Sequence, residues 1–381
     1  MILAVLAQSY LFDDSASING SLVQLYNLTQ GLKGKNVEVH YLCLTIDKEK
    51  PKTETIDGVH MHWIQSKRGL FEWKRIMPLY KAILEEISPD ALYVRGRNVM
   101  QYVAGKYAIK HKKVFVWGTN GDDSAEFYKN VKRLNTSKKP LFKKLLLYPL
   151  KAFEDVYINK GMKMPDHIVN QNTYQKDQTF KILKREGVIL NSYYHIDNAD
   201  QKKPRNQVLW LARWSKEKQP ELFIELISKL KNKQVSFVLA GDTNDVSKRN
   251  SIVDSTRKYH IETPGKIAYN DVNTYFSEAL VFVNTSYREG VSNTFIEAML
   301  NGVPVLSLNS NPNNWLTDFN IGYCADGDLN ELRAVLEDLL NDREKLKIMS
   351  EAAKNFAKQQ FSNPQTLDSY INLFHKHAKR K

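Results

Sequence analysis

The stretch Tyr287-Arg-Glu-Gly-Val-Ser-Asn-Thr-Phe-Ile-Glu-Ala-Met-Leu-Asn-Gly-Val-Pro-Val305 follows a β-branched run at residues 280–283 and continues into a segment of helical period. Phe295, Ile296, Met299 and Leu300 recur as one core face. Asn293 is the expected N-cap, with Thr294 first inside the helix. Gly302 suits the left-handed position after the last turn, and Pro304 stops any continuation. Strand, loop and helix in this order form the unit of a parallel α/β sheet. The helix start offers backbone N–H groups and a positive dipole end to an anion. Glu289 and Glu297 sit in the same place, and a carboxylate repels phosphate. They read instead as acceptors for hydroxyls, such as a sugar or ribose diol. The plainer alternative is a first-turn acid and a turn glycine.

A second stretch, Leu209-Trp-Leu-Ala-Arg-Trp-Ser-Lys-Glu-Lys-Gln-Pro220, repeats the plan. A strand ends at Leu211, a helix starts near Pro220, and Arg213 and Lys218 lie between them. Arginine offers a fork to phosphate oxygens and lysine a point charge, so the two make a diphosphate clamp. Alone, the alternating charges of Lys216, Glu217 and Lys218 would read as a solvated loop.

Outward from these stretches the alternation of strand and helix covers the chain, which predicts two doubly wound parallel-sheet domains. The polar segment 198–206, with Pro204, reads as a linker. The expected division is 1–197, one Rossmann-like domain; 207–360, a second Rossmann-like domain; and 361–381, a helix crossing back to the first. Such domains bind ligands at the carboxyl ends of their strands, and the cleft between them is the expected site.

With 381 residues the chain can bury sizeable cores. Its 42% hydrophobic and 25% charged residues exclude wholesale disorder. Two distant cysteines, Cys43 and Cys324, exclude a disulfide scaffold and read as reduced thiols. No run approaches the ~18 apolar residues of a membrane span. The apolar opening, residues 1–7, reads as a buried first strand rather than a leader, so a cytoplasmic protein is expected. The net charge of +13, from 55 basic and 42 acidic residues, favours anionic partners.

Together the motifs resemble those of the family-4 glycosyltransferases, retaining enzymes of the GT-B fold. The family's Glu-x7-Glu element with Ala-Met and Gly-x-Pro-Val corresponds to Glu289, Glu297, Ala298, Met299, Gly302, Pro304 and Val305. Its upstream Arg and Lys correspond to Arg213 and Lys218. The segments Val238-Leu-Ala-Gly-Asp242 and Val188-Ile-Leu-Asn191 are further landmarks. The resemblance spans the second domain; in the first it is architectural. It implies a nucleoside-diphosphate-sugar donor, a glycan or lipid-linked acceptor, no metal and no further cofactor. It also implies transfer with retention at the anomeric carbon. Arg213 and Lys218 would neutralise the leaving diphosphate, an electrostatic task. Glu289 would meet donor sugar hydroxyls, Glu297 the ribose, and Gly290, Val291, Ser292, Asn293 and Thr294 the sugar and diphosphate. The base is expected near Asp242 and residues 264–267. No metal-ligand cluster is expected, with His60 and His62 a lone pair in a strand.

The first domain departs from the family twice. The loop after the first strand carries one glycine, Gly20, beside Ser17, Asn19 and Ser21; Asn19 and Gly20 are its candidate contacts. The loop after residues 114–117 lacks the family's His and offers Asn120 and Asp122. Arg95 and Arg97 read as solvated arginines.

Between Lys129 and Lys151 there are eight Lys/Arg and no Asp/Glu. Lysines flanked by bulky apolar residues suggest an amphipathic helix on an anionic membrane surface, hence a peripheral place at the inner face of the plasma membrane. The plainer alternative packs Leu145, Leu146 and Leu147 on the core. The function expected is sugar transfer in cell-envelope or exopolysaccharide biosynthesis. An epimerase or phosphorylase on the same fold is the alternative; neither an acid–base pair nor a cofactor lysine site stands out. A basic surface-binding protein without catalysis is the alternative from another class. For nucleic acid, the 19 tyrosines are scattered and no recognition module appears, so no specific binding is expected.

Overall fold

The computed structural model describes residues 1–13, 20–67, 69–195, 204–231 and 234–376. The chain divides into two units, Met1–His195 with Asn363–Lys381, and Ile196–Ser362.

The first unit is built on strands β1 (Ile2–Leu6), β2 (Glu38–Thr45), β3 (Thr53–Ile56), β4 (Val59–Gln65), β5 (Ala91–Arg95), β6 (Val114–Gly118), β7 (His167–Asn170) and β8 (Val188–Ile189). Their order is β3-β4-β2-β1-β5-β6-β7-β8, parallel except for β3. β1 is buried on both faces, as its unbroken apolar run requires. Ala4 and Leu6 join Leu92 and Val94 under the helices Glu72–Ile87 and Met100–His111. Leu3 and Val5 join Tyr41 and Tyr93 under the helix Gly20–Leu32 and the last helix, Pro364–His375. That last helix buries Leu367, Tyr370 and Phe374 in this core.

β3 escapes a reading based on apolar runs because its sequence, Thr-Glu-Thr-Ile, is mostly polar and lies at the sheet edge. Asp57-Gly58 signals it. Ile56 pairs with Val59, and both turn residues have positive φ (49° and 77°), the pattern of a two-residue hairpin turn.

The helix Leu141–Gly161 is fixed through its second half. Asp155, fully buried, accepts from Arg97 Nη2 at 2.7 Å. It also accepts from the backbone N–H groups of Asn130 (3.3 Å) and Val131 (3.0 Å). One carboxylate therefore pairs a guanidinium and caps the helix Lys129–Thr136, which has no side-chain cap of its own.

The second unit holds β9 (Gln207–Leu211), β10 (Ser236–Ala240), β11 (Ile261–Gly265), β12 (Ala279–Asn284), β13 (Val305–Ser307) and β14 (Gly322–Cys324), all parallel, in the order β11-β10-β9-β12-β13-β14. The edge strands β11 and β14 are short or half exposed and carry little apolar signal. β9 has β10 on one side and β12 on the other, so the strand order reverses there. Its carboxyl end is the topological switch point, where open α/β sheets bind ligands.

Candidate active site

Two loops meet at that switch point. One runs from β9 to the helix Pro220–Ser228; the other runs from β12 to the helix Asn293–Leu300. Buried Thr285 joins them. The Trp210 indole N–H donates to its Oγ1 at 2.9 Å, and its hydroxyl lies 2.9 and 2.8 Å from the Lys218 and Gln219 carbonyl oxygens. The Tyr287 N–H donates to the Glu217 carbonyl at 2.8 Å. These bonds hold Lys218 against Glu289, and the two half-buried side chains form an ion pair. The pairing links residues 71 positions apart. Arg213 lies exposed on the same loop.

The helix Asn293–Leu300 starts one residue earlier than expected. Ser292, with extended backbone (φ −74°, ψ 138°), is the N-cap, and Asn293 is the first helical residue. The Ser292 hydroxyl lies 2.8 Å from Thr294 Oγ1 and caps no first-turn N–H. Gly290, Val291, Ser292, Asn293 and Thr294 are all partly exposed around this end. At the other end Gly302 takes φ +65°. Its N–H donates to the Met299 carbonyl and that of Val303 to the Ala298 carbonyl, the paired bonds of a glycine-terminated helix.

Glu297 lies on this helix between buried Ile296 and Ala298. Burial pushes its carboxyl up to about 8 from an ordinary 4.5. Between about pH 4.5 and 8 the folded protein thus holds a proton that the unfolded chain has lost. This contribution to stability is complete below about pH 4.5 and is lost as the pH rises through about 8. Glu297→Gln is expected to flatten that decline, which urea midpoints at pH 5.5 and 8.5 measure. An unchanged slope would place the carboxyl in water.

The segments expected near a base also lie together, since the Gly241 N–H donates to the Gly265 carbonyl at 2.8 Å. Asp242 takes a bidentate pair from Arg249, at 2.7 and 2.9 Å. Gly241 cannot be replaced easily: an added Cβ would lie 1.8 Å from the Ala212 carbonyl oxygen.

In the first unit, Gly20 opens the helix Gly20–Leu32, while Asn19 and Ser17 lie outside the described residues. Asn120 is exposed after β6, its Oδ1 accepting from Ser124 Oγ at 3.2 Å. Asp122 accepts from Gln175 Nε2 at 3.4 Å. Arg95 and Arg97 are not solvated. Arg95 is buried, with Gln24 Oε1 at 2.6 Å and Tyr93 Oη at 3.0 Å, and Arg97 is the partner of Asp155. Gln24 and Asp155 lie 71 and 58 positions away from their arginines, so the letters around the arginines carry no sign of them.

His60 and His62 are not a lone pair either. The register of β2 on β4 sets His40 beside His60, and Glu38, His40 and His60 each bring a ligand atom within 4.8 Å of the others. One ring nitrogen of His40 lies 2.9 Å from His62 and the other 2.9 Å from Glu38. Burial holds His62 down to about 4, so it is neutral near pH 7 and passes a hydrogen bond along the chain. The cluster lies at the amino end of β2, away from the strand ends where ligands bind in this architecture.

Residues 195–356 match the family model of glycosyl transferases group 1. No curated protein matches the chain. Among solved structures it is similar to sucrose-phosphate synthase from Thermosynechococcus elongatus, with 15% identity, 98% of each chain covered and a TM-score of 0.69. Anabaena HepE in complex with UDP and glucose has 13% identity and a TM-score of 0.69, over 97% of this chain and 98% of that one. The catalytic domain of starch synthase IV from Arabidopsis thaliana, bound to ADP and acarbose, has 12% identity and a TM-score of 0.72, over 100% and 99%. At such identities the likeness establishes the fold, two parallel-sheet α/β domains of GT-B type. The group 1 match lies in the second unit, and with this fold it supports a glycosyltransferase.

Proposed function

We propose that the chain moves a sugar from a nucleoside-diphosphate-sugar donor to a glycan or lipid-linked acceptor, with retention at the anomeric carbon, in cell-envelope or exopolysaccharide biosynthesis. The observation that carries this reading is the Lys218–Glu289 pair at the switch point, beside Arg213 and a helix start without a side-chain cap.

The chemistry follows from these groups. As the bond between the anomeric carbon and the diphosphate breaks, negative charge collects on the leaving oxygen. Lys218 and Arg213 neutralise it, aided by the helix N–H groups and dipole. In this reading the two cations do the electrostatic work a metal does elsewhere. Glu289 holds Lys218 with one oxygen and keeps acceptor capacity for a sugar hydroxyl. Glu297 receives the ribose hydroxyls. Their hydrogen bonds favour its ionised form, so donor binding releases protons near neutral pH. Asn19, Gly20, Asn120 and Asp122 remain the candidates for acceptor or donor contact in the first unit. Support for the donor class comes from HepE in complex with UDP and starch synthase IV bound to ADP.

A thermal-shift screen against UDP, GDP, ADP and CMP without added metal tests the donor site. A nucleotide at ~100 times its dissociation constant stabilises by ~2.7 kcal/mol. One diphosphate is expected to raise the melting temperature in the wild type and not in Arg213→Ala. No response to any of the four would overturn the assignment.

A further inference from the structure

No helix among the described residues is long and apolar enough to cross a membrane. The helix Leu141–Gly161 nevertheless exposes what a soluble helix buries. Leu141 is 72% exposed, Phe142 66%, Leu145 68% and Leu146 69%, and Tyr148 and Phe153 are about half exposed. At 100° per residue these six side chains, with Pro149, fall on one arc of about 160°. Packing of Leu145 and Leu146 on the core is therefore excluded. Outside the arc lie the helix's attachments, Asp155 and buried Ile158.

The rim of the arc is basic. Lys143 and Lys144 lie beyond its two edges, with Lys138 and Lys139 exposed just before the helix. Lys143 Nζ stands 5.9 Å from the Phe142 ring and reaches outward beside the apolar face. Acidic side chains are missing from the whole run between Lys129 and Lys151. A protein partner of ordinary composition would answer such a face with scattered acids. An anionic bilayer answers all of it: acyl chains for the leucines and Phe142, and headgroup charge for the lysines.

We propose that this face, Leu141, Phe142, Leu145 and Leu146 rimmed by Lys138, Lys139 and Lys143, seats the protein on an anionic lipid surface with the helix in the interface plane. The seat rests on surface chemistry alone and stands whether or not the donor site is as proposed above. It deepens that reading by giving a lipid-linked acceptor a route to the first unit.

Flotation of the full chain with vesicles of phosphatidylcholine alone, or with 30 mol% phosphatidylglycerol, is the test. Binding is expected to the anionic vesicles, weakened by salt. Leu145→Glu/Leu146→Glu should lower the partition coefficient at least ~100-fold. Each reversal among Lys138→Glu, Lys139→Glu and Lys143→Glu should lower it about fivefold or more. Each variant's melting temperature without ligand reports its fold, so loss of vesicle binding with that temperature unchanged isolates the membrane face. Equal binding to both vesicle types, or wild-type binding by Leu145→Glu/Leu146→Glu, overturns the proposal. So does a chain that floats with neither vesicle; if it is a dimer in solution that the double variant makes monomeric, the face is a contact between copies.

Discussion

Replacing Lys218 with alanine is expected to lower turnover about 100- to 1000-fold, the scale of losing one preorganised charge at a developing anion. The ammonium is held before any donor arrives. Thr285 fixes the Lys218 backbone, and Glu289 fixes its charged end. A group already in place spends no reorganisation when the leaving group ionises. Because the diphosphate gains charge only as the glycosidic bond breaks, the loss should fall mainly on kcat, with a smaller change in donor KM. Glu289→Ala should cost a similar factor, through the freed lysine and the lost hydroxyl acceptor. The effects should not add, since one arrangement is broken twice. Single-turnover transfer rates measure this. A Lys218→Ala rate within tenfold of wild type would remove Lys218 from the reaction.

The largest stability effect is expected at Asp155. Asp155→Ala leaves the Arg97 guanidinium buried without its carboxylate and leaves two N–H groups of the helix Lys129–Thr136 uncapped. Breaking a buried pair in this way costs about 3–5 kcal/mol. For a unit of this size the melting temperature should fall by roughly 10 °C. Asp155→Asn keeps one acceptor oxygen and should lose less. A fall equivalent to less than ~1 kcal/mol would mean that water already reaches the pair.

The contrast between these residues explains what could be read from the letters. Lys218 and Glu289 were legible because the chemistry of each is local. A cation in one strand–loop–helix unit and a carboxylate in another mark two loops worth pairing, and parallel topology brings those loops together. The central strands were legible because burial on both faces leaves unbroken apolar runs. β3, β11 and β14 lie at or near edges, where one face or more meets water and that signal fades. Asp155 was illegible for a different reason. A buried ion pair is written as two ordinary polar letters 58 residues apart, and only the fold excludes water from both. The same holds for Arg95 and for the His40–His60 pairing, which depends on strand register. The shift of the N-cap from Asn293 to Ser292 is smaller: both side chains suit the position, and backbone geometry chooses.

The last helix, Pro364–His375, sets an order of assembly on the ribosome. It fills a slot in the first unit with Leu367, Tyr370 and Phe374, yet it is translated after all of the second unit. At about 5–20 residues per second, the first unit waits roughly 10–40 s between its own strands and the piece that closes them. During that time the apolar surface of Tyr93 and Leu3 is open to any passing chain. The second unit, contiguous in sequence, can fold as it emerges. A premature stop codon just after residue 362 would therefore spare the loops after β9 and β12 and yet act as a folding lesion in the opposite end of the gene product.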